Sequence, residues 1–220
     1  MNRAWTSYSA PLIQKLTAGL PFLVSADNVL RGTEPDEKIA ELIVQGCMVQ
    51  LLAPHLPNSE HVIQNKEIVV TDTSLGGCVP DIIIKNVGDG YWGFIELKTL
   101  FNGGSLCVAD VNRDLDKLCA YKIAFPEAAA IFALTGSRKK LFNPQRDAAW
   151  KTSRIVYAKH AFATTKLSPQ KLNEHFVAIP CGSSSPEMDV QVFFWEILPR
   201  SDSTYALTTS FRFDACMSDQ

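Results

Sequence analysis

Asp81, Glu96 and Lys98 are residues whose types and spacing suit chemistry. Carboxylates are hard oxygen ligands for a divalent cation, and an ammonium beside them can meet the charge of a phosphate. Whether they meet depends on the stretch that carries them, VPDIIIKNVGDGYWGFIELKT from Val79 to Thr99. Two apolar runs rich in β-forming residues flank Gly88-Asp89-Gly90, the pattern of a β-hairpin. With Asp89-Gly90 as a two-residue type I′ loop, Gly88 faces Tyr91, Asp81 faces Lys98 and Ile83 faces Glu96. Opposite residues share a face and successive side chains alternate faces. Asp81, Glu96 and Lys98 are therefore expected at one end of one face, with Asp81 and Glu96 on a diagonal. A three-residue loop would need a bulge to repair that register. Trp92, Phe94 and Ile83 are expected on the face of Glu96, which marks it as more than a solvated surface.

Elements on either side must hold this hairpin in place. Ser9 to Gly19 reads as a short helix capped by Ser9 and ended by Gly19. Thr33 opens the clearest long helix, with Asp36 answering the cap and Glu34, Asp36 and Glu37 opposing the helix dipole. Ile39, Leu42, Ile43, Gly46, Val49 and Ala53 form its expected buried stripe, and Pro54 and Pro57 end it. At 100° per residue, Glu34 and Glu41 flank that stripe and Glu37 points away from it. A strand is expected over 61–71, before the hairpin. After it come a helix over 110–125, with Val111, Leu115 and Leu118 on one face, and an apolar strand over 128–134. Strand, helix, strand in that order allows a parallel pairing across the helix. Residues 137–154 are locally basic, with Arg138, Lys139 and Lys140 in a row. Further strands are expected over 154–161, 176–180, 190–198 and 205–213, and a short helix over 168–176.

The composition narrows the class. A chain of 220 residues that is 46% hydrophobic and 20% charged suits one globular α/β domain with a proper core. Its net charge of −2 gives no global basic field, so a nucleic acid would need a local basic patch; the charge does not choose DNA over RNA. The cysteines (Cys47, Cys78, Cys107, Cys119, Cys181 and Cys216) form no C-x-x-C pair, and the histidines show no zinc spacing. Neither Gly76-Gly77 nor Gly103-Gly104 builds a phosphate-binding P-loop. With no signal peptide and no stretch long enough to span a membrane, a cytoplasmic, reducing location is expected, with no membrane partner.

Pro80-Asp81, fourteen intervening residues and then Glu96-Leu97-Lys98 resembles the signature of the PD-(D/E)XK nuclease superfamily. The resemblance implies a restriction-endonuclease-like core, a mixed central sheet flanked by helices, over about 33–135. A β-rich C-terminal elaboration over about 150–213 would complete the single domain. It maps the family's first-helix acid to Glu41, Glu37 or Glu34, and its motif Asp, Glu and Lys to Asp81, Glu96 and Lys98. A RecB-like branch of the family carries Gln-x-x-x-Tyr on the second helix. The comparable span here is Lys117-Leu118-Cys119-Ala120-Tyr121, in which Tyr121 matches and Lys117 stands where the branch has Gln.

The activity so implied is metal-dependent hydrolysis of phosphodiester bonds in DNA, in restriction, defence or DNA processing. Hydrolysis would be direct, without a covalent intermediate. Mg²⁺, or Mn²⁺ as a substitute, would sit on Asp81, Glu96 and the Leu97 carbonyl, with Glu41 or Glu37 adding a ligand. Lys98 would position the attacking hydroxide or meet the developing negative charge. Arg138, Lys139, Lys140, Lys117 and Tyr121 are the candidate nucleic-acid contacts. Cutting two strands suits a homodimer with a two-fold axis. The alternative is a catalytically silent module that keeps the nuclease fold and binds a nucleic acid or a protein.

Overall fold

The computed structural model of the chain describes residues 4–33, 35–56, 61–64, 79–85, 91–101, 105–142 and 170–200. Helix α1 (Ala4–Arg31) is followed by α2 (Glu37–Leu52), which tightens into a 3-10 turn at Ala53–His55. Strands β1 (His61–Gln64), β2 (Ile82–Lys85) and β3 (Tyr91–Leu100) lead to α3 (Val108–Ala124). Strand β4 (Ala129–Ser137) runs into the single turn α4 (Arg138–Leu141). Strands β5 (Gln170–Lys171), β6 (Phe176–Ser183) and β7 (Val190–Pro199) complete the described chain.

All the strands join one mixed, open seven-stranded sheet in the order β1-β2-β3-β4-β7-β6-β5. Strands β3 and β4 are parallel and connected through α3, as the strand, helix, strand order allows. The other pairings are antiparallel. Alternation of side chains divides the core between the two faces of the sheet. Ile83, Phe94, Phe132 and Trp195 pack with Leu115, Leu118 and Tyr121 of α3. Ile82, Ile95, Leu97, Ile131 and Phe194 pack on the other face with Leu16 and Leu20 of α1 and Val44 and Met48 of α2. The chain is thus α/β, with helices on both faces of a mixed sheet. None of the described helices is long and apolar enough to cross a membrane.

Several expected elements differ in extent or in register. The first helix does not stop at Gly19; it continues through Pro21 and ends at Arg31, where Gly32 takes φ 71°. Pro21 forfeits one backbone bond, a cost of about 3 kcal/mol. Leu12, Ile13, Leu16, Leu20 and Val24 are all buried along one stripe, and each contributes about 1.5–3 kcal/mol, so burial wins. Gly19 lies where Leu51 of α2 comes against α1. In α2 the cap is Asp36, whose Oδ1 accepts from the Ile39 N–H at 3.0 Å, and not Thr33. The buried stripe is Ala40, Val44, Met48 and Leu52, one position along from the expected one, which leaves Ile39 and Leu42 exposed.

The hairpin pairs Ile82 with Ile95 and Ile83 with Phe94, two residues away from the register of a tight Asp89-Gly90 turn. Trp92 is an extra residue at a bulge between Ile84/Gly93 and Lys85/Tyr91, and it turns Trp92 into the α1–α2 core, off the face of Glu96. Carried one step beyond β2, this register sets Asp81 level with Glu96, not Lys98. A slip of two keeps Asp81, Glu96 and Lys98 on one face, so their expected grouping is compatible with the corrected pairing.

Strands β6 and β7 belong to the same sheet as the expected core, with β7 between β4 and β6. Gln170–Lys171 is strand where helix was expected. The Asn173 carboxamide accepts from the N–H groups of both His175 and Phe176 and makes a turn there. The strands expected over 154–161 and 205–213, the hairpin loop 86–90, most of the strand over 61–71 and the cysteines Cys78 and Cys216 lie outside the described residues. No disulfide joins the described cysteines, Cys47, Cys107, Cys119 and Cys181.

Candidate active site

The C-terminal half of β3 carries Glu96, Leu97 and Lys98. Leu97 points into the α1–α2 core, which turns Glu96 and Lys98 to the opposite face, under α3. Asp81 sits at the bend just before β2 and is tied to β3 by the Leu97 N–H, which donates to Asp81 Oδ2 at 2.6 Å. Glu41 reaches the same place from α2, close enough to hydrogen-bond Asp81 and to feel the charges of Lys98 and Asp114. The structure therefore brings together Asp81, Glu96, Lys98 and, of the three helix acids, Glu41. Glu34 and the side chain of Glu37 lie outside the described residues.

Helix α3 supplies the rest. The Lys117 ammonium donates to Glu96 Oε2 at 3.1 Å, and the Tyr121 hydroxyl donates to Glu96 Oε1 at 3.3 Å. Lys117 also pairs with Asp114 Oδ1 at 3.0 Å, and Lys98 pairs with Asp114 Oδ2 at 2.6 Å. A chain of alternating charge, Lys98–Asp114–Lys117–Glu96, thus crosses from β3 to α3 and back. Tyr121 is fully buried, so its role is to hold Glu96, and it has no surface to offer a nucleic acid. Lys117 is likewise spent on the carboxylates of the site.

Asp114 is the member that the sequence pattern missed, because a carboxylate reads as lying off the buried face of its helix. At 1% exposure it belongs to the core. The signal that could have found it is spacing: Asp114, Lys117 and Tyr121 follow one another at i, i+3 and i+7, one face of a helix.

The electrostatics show too much negative charge in too little water. Glu41 is pushed up to about 7, first by burial and then by Asp81. Burial likewise raises Asp81, against the opposing Leu97 hydrogen bond and Lys98. Burial and Asp81 push Glu96 well above the carboxylate range. Burial would lower the Lys98 ammonium, but Asp114, Asp81 and Glu41 more than offset it, so Lys98 stays charged. Lys117 is raised in the same way, by Glu96 and Asp114 against its own burial. An ionised Glu96 is what its two donors, Lys117 and Tyr121, are placed to serve.

A metal ion is expected here, on Asp81, Glu96 and the Leu97 carbonyl, with Glu41 or Glu37 adding a ligand. The crowding of Glu41 on Asp81 is relieved by a cation, and Mg²⁺ that keeps most of its waters needs only one or two carboxylates. That pair fits. No group of three or more His, Cys, Asp or Glu side chains among the described residues is arranged to hold an ion, and Glu96 is turned toward Lys117 and Tyr121.

A cleft of about 110 Å³ opens beside these groups, lined by Glu41, Lys98 and Thr99, by Ser105 and Cys107 just before α3, and by Asp110 and Arg113 of its first turns, which pair with each other. The basic turn Arg138, Lys139 and Lys140 lies at the same end of the sheet, because β4 runs parallel to β3 and Gly136 pairs with Leu100. Arg138 and Lys139 are exposed there. No protein-family model, curated protein or solved structure matches the chain.

Proposed function

We propose that this protein is a metal-dependent nuclease with a restriction-endonuclease-like core, hydrolysing phosphodiester bonds in DNA. The observation that carries the reading is the convergence of Glu41 from α2, Asp81 from the bend before β2, and Glu96 and Lys98 from β3, with Glu41 and Lys98 lining a cleft. Surplus carboxylates and a charged lysine at a cleft mouth are what phosphoryl chemistry needs. A bound Mg²⁺ or Mn²⁺ would supply a water of lowered pKa and charge to offset the phosphate. Glu41 and Asp81 would hold it, with Glu96 behind them. Lys98, 22% exposed and ionised, would meet the charge that develops on the phosphate. Arg138, Lys139 and Lys140 would take flanking phosphates along the same end of the sheet, and two copies about a two-fold axis would serve the two strands.

The test is cleavage of plasmid DNA in Mg²⁺ or Mn²⁺ by wild type, Asp81→Ala and Lys98→Ala, each shown to be folded. Cleavage should need the metal and fall by at least about a hundredfold in both variants. Equal cleavage by all three proteins would mean a contaminating nuclease and end the assignment.

One observation favours the second reading, a silent module that binds nucleic acid or a protein through the same fold. Glu96 is sealed by Lys117 and Tyr121, so the ammonium already supplies the charge a metal would bring. Calorimetry separates the two: the silent module takes up no Mn²⁺ that depends on Asp81.

A further inference from the structure

We propose that Asp114 is a positioning residue that fixes the two ammonium groups of the site, Lys98 over the cleft and Lys117 on Glu96. The inference rests on the nuclease reading for its catalytic consequence, though not for its geometry. Asp114 is 1% exposed and stands on α3, a different element from Lys98. Its oxygens are divided between the lysines: Oδ1 pairs with Lys117 at 3.0 Å, and Oδ2 lies 2.6 Å from the Lys98 ammonium as an ion pair without hydrogen-bond geometry.

A lysine side chain has a flexible four-carbon stem and no fork geometry of its own, so a lysine that must be held in one place needs an anchor. Lys98 reaches the cleft from a strand whose neighbouring positions point away from it. Glu96 is engaged by other donors, Lys117 on Oε2 and Tyr121 on Oε1. Asp81 interacts with Lys98 through its charge, but one of its oxygens is taken by the Leu97 N–H. Asp114 is the buried carboxylate in direct contact with Lys98, and it lines no part of the cleft. It acts on the substrate only through the lysines, and it couples the orientation of α3 to that of β3.

Asp114→Asn keeps the shape and removes the charge. With plasmid DNA and Mg²⁺, kcat should fall by about tenfold or more, while KM for DNA and the Mn²⁺ affinity read by calorimetry stay within about threefold of wild type. A general structural defect would move all three together. Wild-type kcat in the variant, or loss of Mn²⁺ binding along with kcat, overturns the proposal.

NMR of the lysine ammonium groups, labelled with ¹⁵N, reads the geometry itself. Lys98 and Lys117 should give slowly exchanging Nζ–H signals in the wild type, unlike the exposed Lys139, and the Lys98 signal should vanish in Asp114→Asn. Should the variant fail to fold, the wild-type spectrum decides, because exchange at Lys98 as fast as at Lys139 overturns the anchor. Should the wild type cut no DNA, the nuclease reading fails by itself. The anchor then still stands or falls on whether the Lys98 signal is lost in the variant.

Discussion

Glu41 is half-buried against Asp81, and burial first and that neighbour second raise its pKa from an ordinary 4.5 to about 7. Between those two values the folded protein binds more protons at this site than the unfolded chain does. The contribution of this site to stability is therefore greatest below pH 4.5, declines as pH rises through the window, and levels off above 7. Glu41→Gln removes the ionisation. In metal-free buffer the variant should melt a few degrees above wild type at pH 8, with the gap closing by pH 4.5. Mn²⁺ should then raise the melting temperature of wild type at pH 8 and leave the variant nearly unmoved. A wild type indifferent to Mn²⁺ would remove Glu41 from the proposed ion site. At this scale the sequence was partly legible. Asp81, Glu96 and Lys98 stand out by motif and meet as expected. That Glu41 reaches the site did not stand out, because it depends on which face of α2 is buried, and that face is one position from where the pattern places it. Asp114 is easy to miss for a different reason: a charged residue reads as solvated unless its spacing with Lys117 and Tyr121 is weighed against a partner on another element.

Elements were easier to foresee than the contacts between them. The helix before the hairpin, the helix after it and the parallel strand beyond all follow from apolar periodicity. The register of β2 on β3 does not, because a bulge at Trp92 absorbs a residue that no local pattern announces. The parallel pair β3–β4 has a feature of the same kind. Gly136 lies opposite Leu100, two residues beyond Lys98, and a Cβ built there would stand 2.4 Å from the Leu100 carbonyl oxygen. Backbone does not yield as a side-chain tip does, so any larger residue must push the two strands apart at the end that carries the site. Gly136→Ala should therefore destabilise the fold by about 1–3 kcal/mol, read from denaturant midpoints. It should also weaken whatever activity Lys98 and Glu96 support, since both ride on β3. An alanine variant as stable as wild type would show that the strands can separate there at no cost.

At the scale of the whole molecule, the C-terminal strands decide whether the site has a scaffold at all. The expected single domain has a core over about 33–135 and a β-rich elaboration over about 150–213. Strand β7 pairs with β4 from Ile131↔Glu196 to Ser137↔Val190, so β4 is an interior strand only because β7 is there. Its side chains serve both layers: Val192 and Phe194 complete the core under α1 and α2, and Phe193, Trp195 and Ile197 complete the one under α3. At about 1.5–3 kcal/mol for each large apolar side chain, that strand alone contributes on the order of 10 kcal/mol. Domains of this kind are stable by only about 5–15 kcal/mol in total. No sequence pattern could foresee this, because the strand that closes the sheet beside β4 comes some 50 residues later in the chain. A chain ended at Phe142 keeps every proposed catalytic residue and loses β5, β6 and β7. It should show no cooperative thermal transition, should bind hydrophobic dyes, and should neither cut DNA nor take up Mn²⁺. A truncated chain that melts cooperatively would mean that α1 to α4 close a core of their own, and that the site stands on half of the sheet.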